Sequence, residues 1–391
     1  MNARIFIQAF SSVSAMGGAL NAHAEVLRSG QSPGMGLATT WRKKSAPAFV
    51  GAVEGQFPSI RNKEHDTRNN RILQASLTAI ETNIQTTIAT IGHSRFAIVA
   101  GTSTSGIAEA EDALLCRPPG EISDDYEYAR QEFGSPAAFL ADLLGTTGPS
   151  FALSTACTSS SNAFISARRL LRQGVADAVL VVGADSLCRT TVEGFIALEA
   201  VATDRCQPMS ANRKGINIGE GASVFLLSRE SGPLELLGVG ESCDAYHLSS
   251  PDPQGRGAEA AMRAALHDAG LVATDIDYVN LHATGTIKND QMESLAMARV
   301  FPAGVTCSGT KPLTGHALGA AGAIEAALCC VAITDNIIPP HIWDGQPDPD
   351  LPPLRLAGLG QCFPPAARRI CMTNNFAFGG SNVSLIFSAT R

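Results

Sequence analysis

The stretch "FALSTACTSSSNAF", residues 151–164, places Cys157 where an apolar run gives way to a string of hydroxyl residues. That change of pattern reads as a buried strand turning into a helix. At a helix start the backbone N–H groups lack partners and point outward. With the helix dipole they would stabilise a thiolate and lower the cysteine's pKa. The same groups could hold the oxyanion of a tetrahedral intermediate. A buried structural cysteine would fit the stretch as well. His282 ends a strand in "YVNLHATGTIKND" and faces the same edge as Cys157 if the two halves of the chain are alike. His316, in "GTKPLTGHALGAAGA", reads as opening a helix, which would keep its imidazole neutral near pH 7 and able to donate an N–H to developing negative charge. Taken singly, each histidine reads first as structural. Glu325 lies in the almost wholly small or apolar run "ALGAAGAIEAALCCVAI", where an acid needs a partner. Lys311 is the obvious candidate, and the pair could tune His316. In "TNNFAFGGSNVSLIF", Phe376, Phe378, Gly379 and Gly380 form either a tight turn or a mobile loop that offers backbone N–H groups to a substrate.

These residues must be held by a scaffold, and the chain supplies a repeated one. Ile5–Phe10 reads as a strand, and 21–28 as a helix stopped by Gly30. Residues 66–86 read as helical, "RFAIVAGTSTSG" as a buried strand entering a turn, and 118–137 as a helical or looped excursion. The strand before Cys157 and the helix after it, ended by Gly174, are followed by "DAVLVVGAD", a run apolar enough to be buried on both faces. A strand closes the first half. Near residue 233 the order starts again: strand, helix, strand, helix, a short strand near 305–308, a helix from about 316 to 333, and closing strands at 353–358, 369–374 and 382–388. Alternating strands and helices define an α/β architecture, and the repeated order suggests an internal duplication.

The chain has 391 residues, room for two ordinary domains or one large one, and 45% apolar residues. A net charge of −7 without a basic block argues against nucleic-acid binding, and "RKK" at 42–44 reads as a solvated loop. An acidic carrier protein could still dock on a local basic patch. The first twenty residues read as a strand entering a turn rather than a signal peptide, and no stretch is expected to approach the roughly 18–20 apolar residues of a membrane span. Ten cysteines without a CxxC pair suggest reduced thiols in a cytoplasmic protein.

As an ordered set, "STACTSS", "HATGT…ND", "GTKPLTGHALGAAGAIE" and "NNFAFGGSN", with "SANRKGINIGEGA" at 210–222, resemble the β-ketoacyl-acyl carrier protein synthases over most of the chain. The "GTK…TGH" segment and the "FGG" loop favour the elongating type. The resemblance implies the thiolase fold: two pseudo-duplicated α/β halves, residues 1–232 with Cys157 and 233–391 with His282 and His316, in a five-layered αβαβα body that is usually dimeric. It implies a decarboxylative Claisen condensation in which Cys157 carries the acyl group and both histidines stabilise the enolate from malonyl-carrier. It further implies an oxyanion hole from the N–H groups of Cys157 and Phe378, and a supporting Lys311–Glu325 ion pair. Thr284 and Thr286 would contact the phosphopantetheine arm, Phe378 would gate, and Phe195 would line the acyl pocket. Phe376 and Gly379 join the substrate-binding set. No metal or redox cofactor is implied, since decarboxylation makes the nucleophile. The partners implied are acyl carrier protein and either a second copy or a chain-length-factor-like homologue.

There are departures from the family pattern. Ala283 stands where a glycine is usual after the first histidine, and Ala377 stands between the two phenylalanines, where it would stiffen the loop. The chain is somewhat short and region 31–70 divergent. "DTRNNRILQASL" is more similar to ketosynthases of aryl-polyene pigment pathways than to those of fatty-acid synthesis. A thiolase would need a second cysteine near "NNFAFGGSN". A non-catalytic partner subunit would lack the cysteine or a histidine. A cysteine hydrolase would leave the second histidine and the Lys/Glu pair unexplained.

Overall fold

The computed structural model describes residues 3–40, 47–115, 118, 121–124, 126–365 and 368–390; the basic run at 42–44 and the "PG" at 119–120 lie outside them. Thirteen strands are described, in chain order: β1 (Phe6–Ser14), β2 (Met35–Ala38), β3 (Ala48–Gly51), β4 (Phe96–Gly101), β5 (Ser150–Leu153), β6 (Ala178–Asp185), β7 (Gly221–Ser228), β8 (Leu234–Cys243), β9 (Tyr278–Leu281), β10 (Thr306–Gly309), β11 (Arg355–Leu356), β12 (Ile370–Phe376) and β13 (Ser381–Ala389). β2 and β3 pair with each other; the rest form one sheet in the order β11-β10-β9-β12-β13-β8-β1-β7-β6-β4-β5.

That order contains the same pattern twice. In the first half β5, β4 and β6 run parallel, β7 is antiparallel to β6, and β1 is antiparallel to β7. In the second half β10, β9 and β12 run parallel, β13 is antiparallel to β12, and β8 is antiparallel to β13. The halves join where β1 meets β8, through Phe6↔Glu235 and Ile7↔Leu234. The expected pseudo-duplication is therefore present in strand order and direction.

The layering follows from which residues share a core. Helices Ser159–Arg172 and Ala321–Asp335 each follow a corresponding strand of their half, β5 and β10. Ala163, Phe164 and Leu171 of the first and Ala326, Ala327 and Cys330 of the second share one apolar core with β-residues of both halves, among them Val99, Val181, Leu385 and Phe387. The other face of the first half packs Ile98 and Val182 on Leu73, Ile84 and Leu140 of outer helices. The other face of the second half packs Val279 and Met372 on Met262, Ala265 and Met297. Helices, sheet, two central helices, sheet, helices: the fold is the five-layered αβαβα thiolase architecture. A central helix touches protein all round, which is why residues 321–333, Glu325 apart, are small or apolar on every side. The segment Leu318–Asp335 is long and apolar enough to cross a membrane by length and composition, contrary to expectation, but 89% of it is buried inside the protein.

Several boundaries differ from the reading of the sequence. β1 runs on to Ser14 because its hydroxyls are satisfied inside: Ser11 Oγ donates to the Ser76 carbonyl at 2.6 Å, and Ser12 Oγ accepts from Ser223 Oγ at 2.8 Å. The run 66–86 divides into helices Arg68–Thr78 and Glu81–Ile91 at Ile80, whose φ of −123° and ψ of 16° are not helical. The excursion ends in a helix, Ser135–Leu144. The long helix begins at Ala321, after a single turn at Leu318–Ala320, so His316 does not open it. The nine described cysteines are all free thiols.

Candidate active site

Between β5 and its helix the chain makes a tight elbow. Ala156 has a φ of +50°, a left-handed conformation uncommon for a residue with a side chain. Cys157 follows it at the foot of helix Ser159–Arg172, buried, with its Sγ 3.0 Å from Nε2 of His316. The N–H groups of Cys157 itself and of Phe378 both point to this sulfur.

The thiol is not acidified, contrary to the expectation from its helix-start position. Burial pushes the Cys157 pKa up to about 11, against the pull of the Lys311 charge and the two amides. The next N–H groups of the helix start are occupied locally: Thr158 N donates to the Thr155 carbonyl at 3.3 Å and Ser159 N to the Ala156 carbonyl at 3.1 Å. Alkylation of Cys157 by iodoacetamide should therefore still be rising with pH above 9, and a plateau near neutrality would contradict this account of the thiol.

His316 lies in the link between the short helix Lys311–Thr314 and the turn at 318–320. Its N–H donates to the Asn217 carbonyl at 2.7 Å, and its carbonyl accepts from Gly219 N at 2.9 Å. Its pKa is well below the ordinary value, as expected, but the cause is burial and then the Lys311 charge, not a helix start. His282 follows β9 directly, with its ring edge-on to that of His316, centroids 5.3 Å apart at 86°. Burial, Lys311 and His316 together hold its pKa well down. The Lys311 ammonium donates to the His282 carbonyl and stands 3.3 Å from its Nδ1. An ammonium can only donate, so Nδ1 is the bare nitrogen and Nε2 carries the ring hydrogen.

Lys311 and Glu325 are both buried and pair at 2.5 Å. The second Glu325 oxygen accepts from Asn375 Nδ2 at 2.6 Å, and Asn375 Oδ1 accepts from Ser161 Oγ at 2.6 Å. Asn375 was not singled out in the sequence. Nor was Glu293, whose two oxygens accept from the N–H groups of His282 and Ala283, each at 2.7 Å. Burial raises the Glu293 pKa to about 8. The available signal was a pair of acids, Asp290 and Glu293, three apart on a helix otherwise rich in Met and Ala.

These groups open into a cavity of about 330 Å³ lined by Cys157, His282, His316, Thr284, Thr286, Phe195, Phe376 and Phe378, with Lys214 and Lys288 also on its wall. Thr284 and Thr286 hydroxyls touch at 2.9 Å, and Phe195 stacks on Phe378 with centroids 5.7 Å apart. Phe378 is 38% exposed, a large apolar ring at the mouth. Gly379 is not on the lining; its N–H ties the loop to the Leu248 carbonyl at 2.7 Å. One ligand atom from each of Cys157, His282 and His316 lies within 4.8 Å of the others, close enough to hold a metal ion. The Lys311 charge beside His282 disfavours a cation there.

Ala283, in place of a glycine, is held at a φ of +40°, and the fold makes room for its methyl at Gly309. A Cβ at Gly309 would stand 2.3 Å from the Ala283 Cβ. Gly309→Ala should therefore cost about 1–3 kcal/mol of stability, read from denaturant unfolding, and the double change with Ala283→Gly should recover most of it.

The five-layered body and its cysteine–histidine–histidine cavity define the class first: a thiolase-fold acyltransferase. Residues 29–232 match "Beta-ketoacyl synthase, N-terminal domain" and 234–343 match "Beta-ketoacyl synthase, C-terminal domain". Nodulation protein E of Rhizobium meliloti (strain 1021) is 36% identical, over 75% of each chain. 3-Oxoacyl-[acyl-carrier-protein] synthase 2 of Vibrio cholerae is 29% identical over 98% of each chain. The ketosynthase ApeO of Xenorhabdus doucetiae, solved in complex with its chain length factor ApeC, superimposes with a TM-score of 0.94 at 43% identity, covering 99% of this chain and 98% of that one. The chain belongs to the β-ketoacyl synthases. It is an acyltransferase that elongates an acyl chain by condensation to a 3-oxoacyl product.

Proposed function

We propose that Cys157 carries the growing acyl chain and that His282 and His316 handle the malonyl unit. As Sγ attacks the acyl-carrier thioester, its proton passes to the leaving carrier thiol, and His316 keeps its own hydrogen on Nε2. The oxyanion sits on the N–H groups of Cys157 and Phe378. Malonyl-carrier then enters with its arm against Thr284 and Thr286. Loss of CO2 leaves an enolate whose oxygen receives N–H bonds from the two neutral imidazoles. Its carbon attacks the acyl-Cys157 carbonyl; the C–C bond forms, the C–S bond breaks, and 3-oxoacyl-carrier departs. Lys311 and Glu325 hold His282 in its tautomer. Phe195, Phe376 and Phe378 wall the acyl side, with Phe378 as the gate and Gly379 anchoring its loop. Decarboxylation supplies the nucleophile, so no resident cofactor is needed.

The observation that carries this reading is the 3.0 Å contact between Cys157 Sγ and His316 Nε2, with the Phe378 amide on the same sulfur. Its substrates are carried on acyl carrier protein, and its location is cytoplasmic. We place the division between the halves at 232/233. The likeness to ApeO, which is paired with a chain length factor, favours a heterodimer with such a homologue over a homodimer. This chain, with its cysteine and both histidines, is then the active subunit. The likeness of "DTRNNRILQASL" favours an aryl-polyene type pathway. Incubation with acyl- and malonyl-carrier protein, read as CO2 release and product mass, tests the reaction. Absence of a product longer by two carbons, with or without a co-expressed partner, would overturn it.

A further inference from the structure

Two strained pieces of backbone meet at the catalytic cysteine and histidine. One is Ala156, at a φ of +50°, next to Cys157; the other is Leu318, at a φ of +48°, two residues after His316. Conformations of this kind are costly and persist only where the surroundings impose them. Each is closed by local hydrogen bonds, Ser159 Oγ to the Ala156 carbonyl at 2.6 Å and Ala320 N to the Ala317 carbonyl at 2.9 Å, and each also has a contact that leads to one carboxylate, at the C-terminal end of β6.

Asp185 is buried, and among the described residues it has no ion-pair partner. Its Oδ1 accepts from Thr102 Oγ1 at 2.7 Å, Ser103 N at 2.8 Å, Thr104 N at 2.8 Å and Thr104 Oγ1 at 2.9 Å. Its Oδ2 accepts from Ala320 N at 3.2 Å. The first set fixes the loop after β4, from which Ser103 Oγ donates to the Ala156 carbonyl at 3.1 Å. The bond to Ala320, an N–H shared with the Ala317 carbonyl at 2.9 Å, braces the turn that follows His316. Gly319 lets that turn press onto the same point: a Cβ there would lie 2.7 Å from Ser103 Oγ and 2.8 Å from Asp185 Oδ2.

We propose that Asp185 is a positioning residue with two arms, one setting Cys157 through Ser103 and Ala156, the other setting His316 through the turn at Leu318–Ala320. The Cys157–His316 distance is thus fixed by one carboxylate that touches neither group. Asp185 belongs to the first half of the chain and reaches across to the turn of the second, so it also aligns the two halves where the reaction occurs. This inference rests on the roles proposed above for Cys157 and His316.

The arms predict different defects. Ser103→Ala cuts only the cysteine arm: acylation of Cys157, followed by intact mass in a single turnover, should slow about tenfold, with CO2 release from malonyl-carrier within about twofold of the parent. Gly319→Ala drives a methyl against both Ser103 Oγ and Asp185 Oδ2, so it strikes both arms and should slow acylation and CO2 release alike, by about tenfold or more. Asp185→Asn keeps the shape and its oxygen toward the Thr102–Thr104 donors but turns an N–H toward Ala320 N, so it should slow CO2 release by about 10- to 100-fold and acylation less, with KM for either carrier unchanged. If Asp185→Asn does not fold, the contrast between Ser103→Ala and Gly319→Ala decides. The proposal is overturned if Asp185→Asn keeps both rates within about twofold, or if Ser103→Ala slows both steps alike. Cys157→Ala in the same assays separates the two levels: if it still condenses, the reading of Cys157 fails; if it does not while Asp185→Asn is silent, only the positioning role fails.

Discussion

Cys157→Ala should abolish condensation, by about 10⁴-fold or more, and leave decarboxylation of malonyl-carrier intact or faster. The two halves of the reaction use different atoms. The proposed acyl transfer needs a sulfur to form the thioester, and among the described residues Cys157 is the one cysteine on the cavity lining. Decarboxylation needs a place for enolate charge, and the place proposed for it is built from His282 and His316, neither of which leans on the sulfur for its position. His316 is held by its own backbone, between Asn217 and Gly219, and His282 by Glu293 and Lys311. Removing Sγ opens space 3.0 Å from His316 Nε2, on the side where the malonyl carbonyl must sit. The variant's enolate is then quenched by a proton from water rather than by acyl-cysteine, and acetyl-carrier accumulates. Headspace CO2 and carrier mass measure both outcomes. A 3-oxoacyl product from Cys157→Ala would mean that the chain is not carried on this residue.

Residue order announced the chemistry well, because strands carry their end residues to one edge of a parallel sheet whatever the details of packing. Cys157 after β5 and His282 after β9 follow from that rule alone. What depends on distance in three dimensions was not legible. The thiol pKa rose instead of falling, because burial outweighs the amides and the Lys311 charge. His316 kept its neutral state for another reason than the one expected, since Gly315 at a φ of +68° and Leu318 at +48° interrupt what reads as one apolar helical run. Asp185 was passed over because it works on N–H and hydroxyl groups of a distant loop, which have no sequence signature, and Glu293 offered only its pairing with Asp290 on one helix. Gly379 belonged to the right loop, but its N–H turns to Leu248 and away from the cavity.

The largest structural effect should come from Lys311→Met, and the reason lies in what it leaves behind. Lys311 and Glu325 are each buried and pair at 2.5 Å. Without the ammonium, Glu325 is a buried acid with only Asn375 as a donor. Breaking such a pair costs about 3–5 kcal/mol, and the loss depends on pH. Burial already raises the Glu325 pKa, and losing Lys311 raises it further. The folded state of the variant therefore binds a proton that the unfolded chain releases above its ordinary carboxyl pKa. Stability is full below that value and falls as pH rises toward the folded pKa, so the variant should unfold at lower denaturant concentration at pH 8 than at pH 5. Adding Glu325→Gln removes the acid while keeping an acceptor for Asn375, and should restore most of the stability and flatten the pH dependence. It should not restore CO2 release, because nothing then holds the hydrogen of His282 on Nε2. Recovery of both in the double variant would show that the ion pair serves only the fold; recovery of stability alone assigns Lys311 to the histidine.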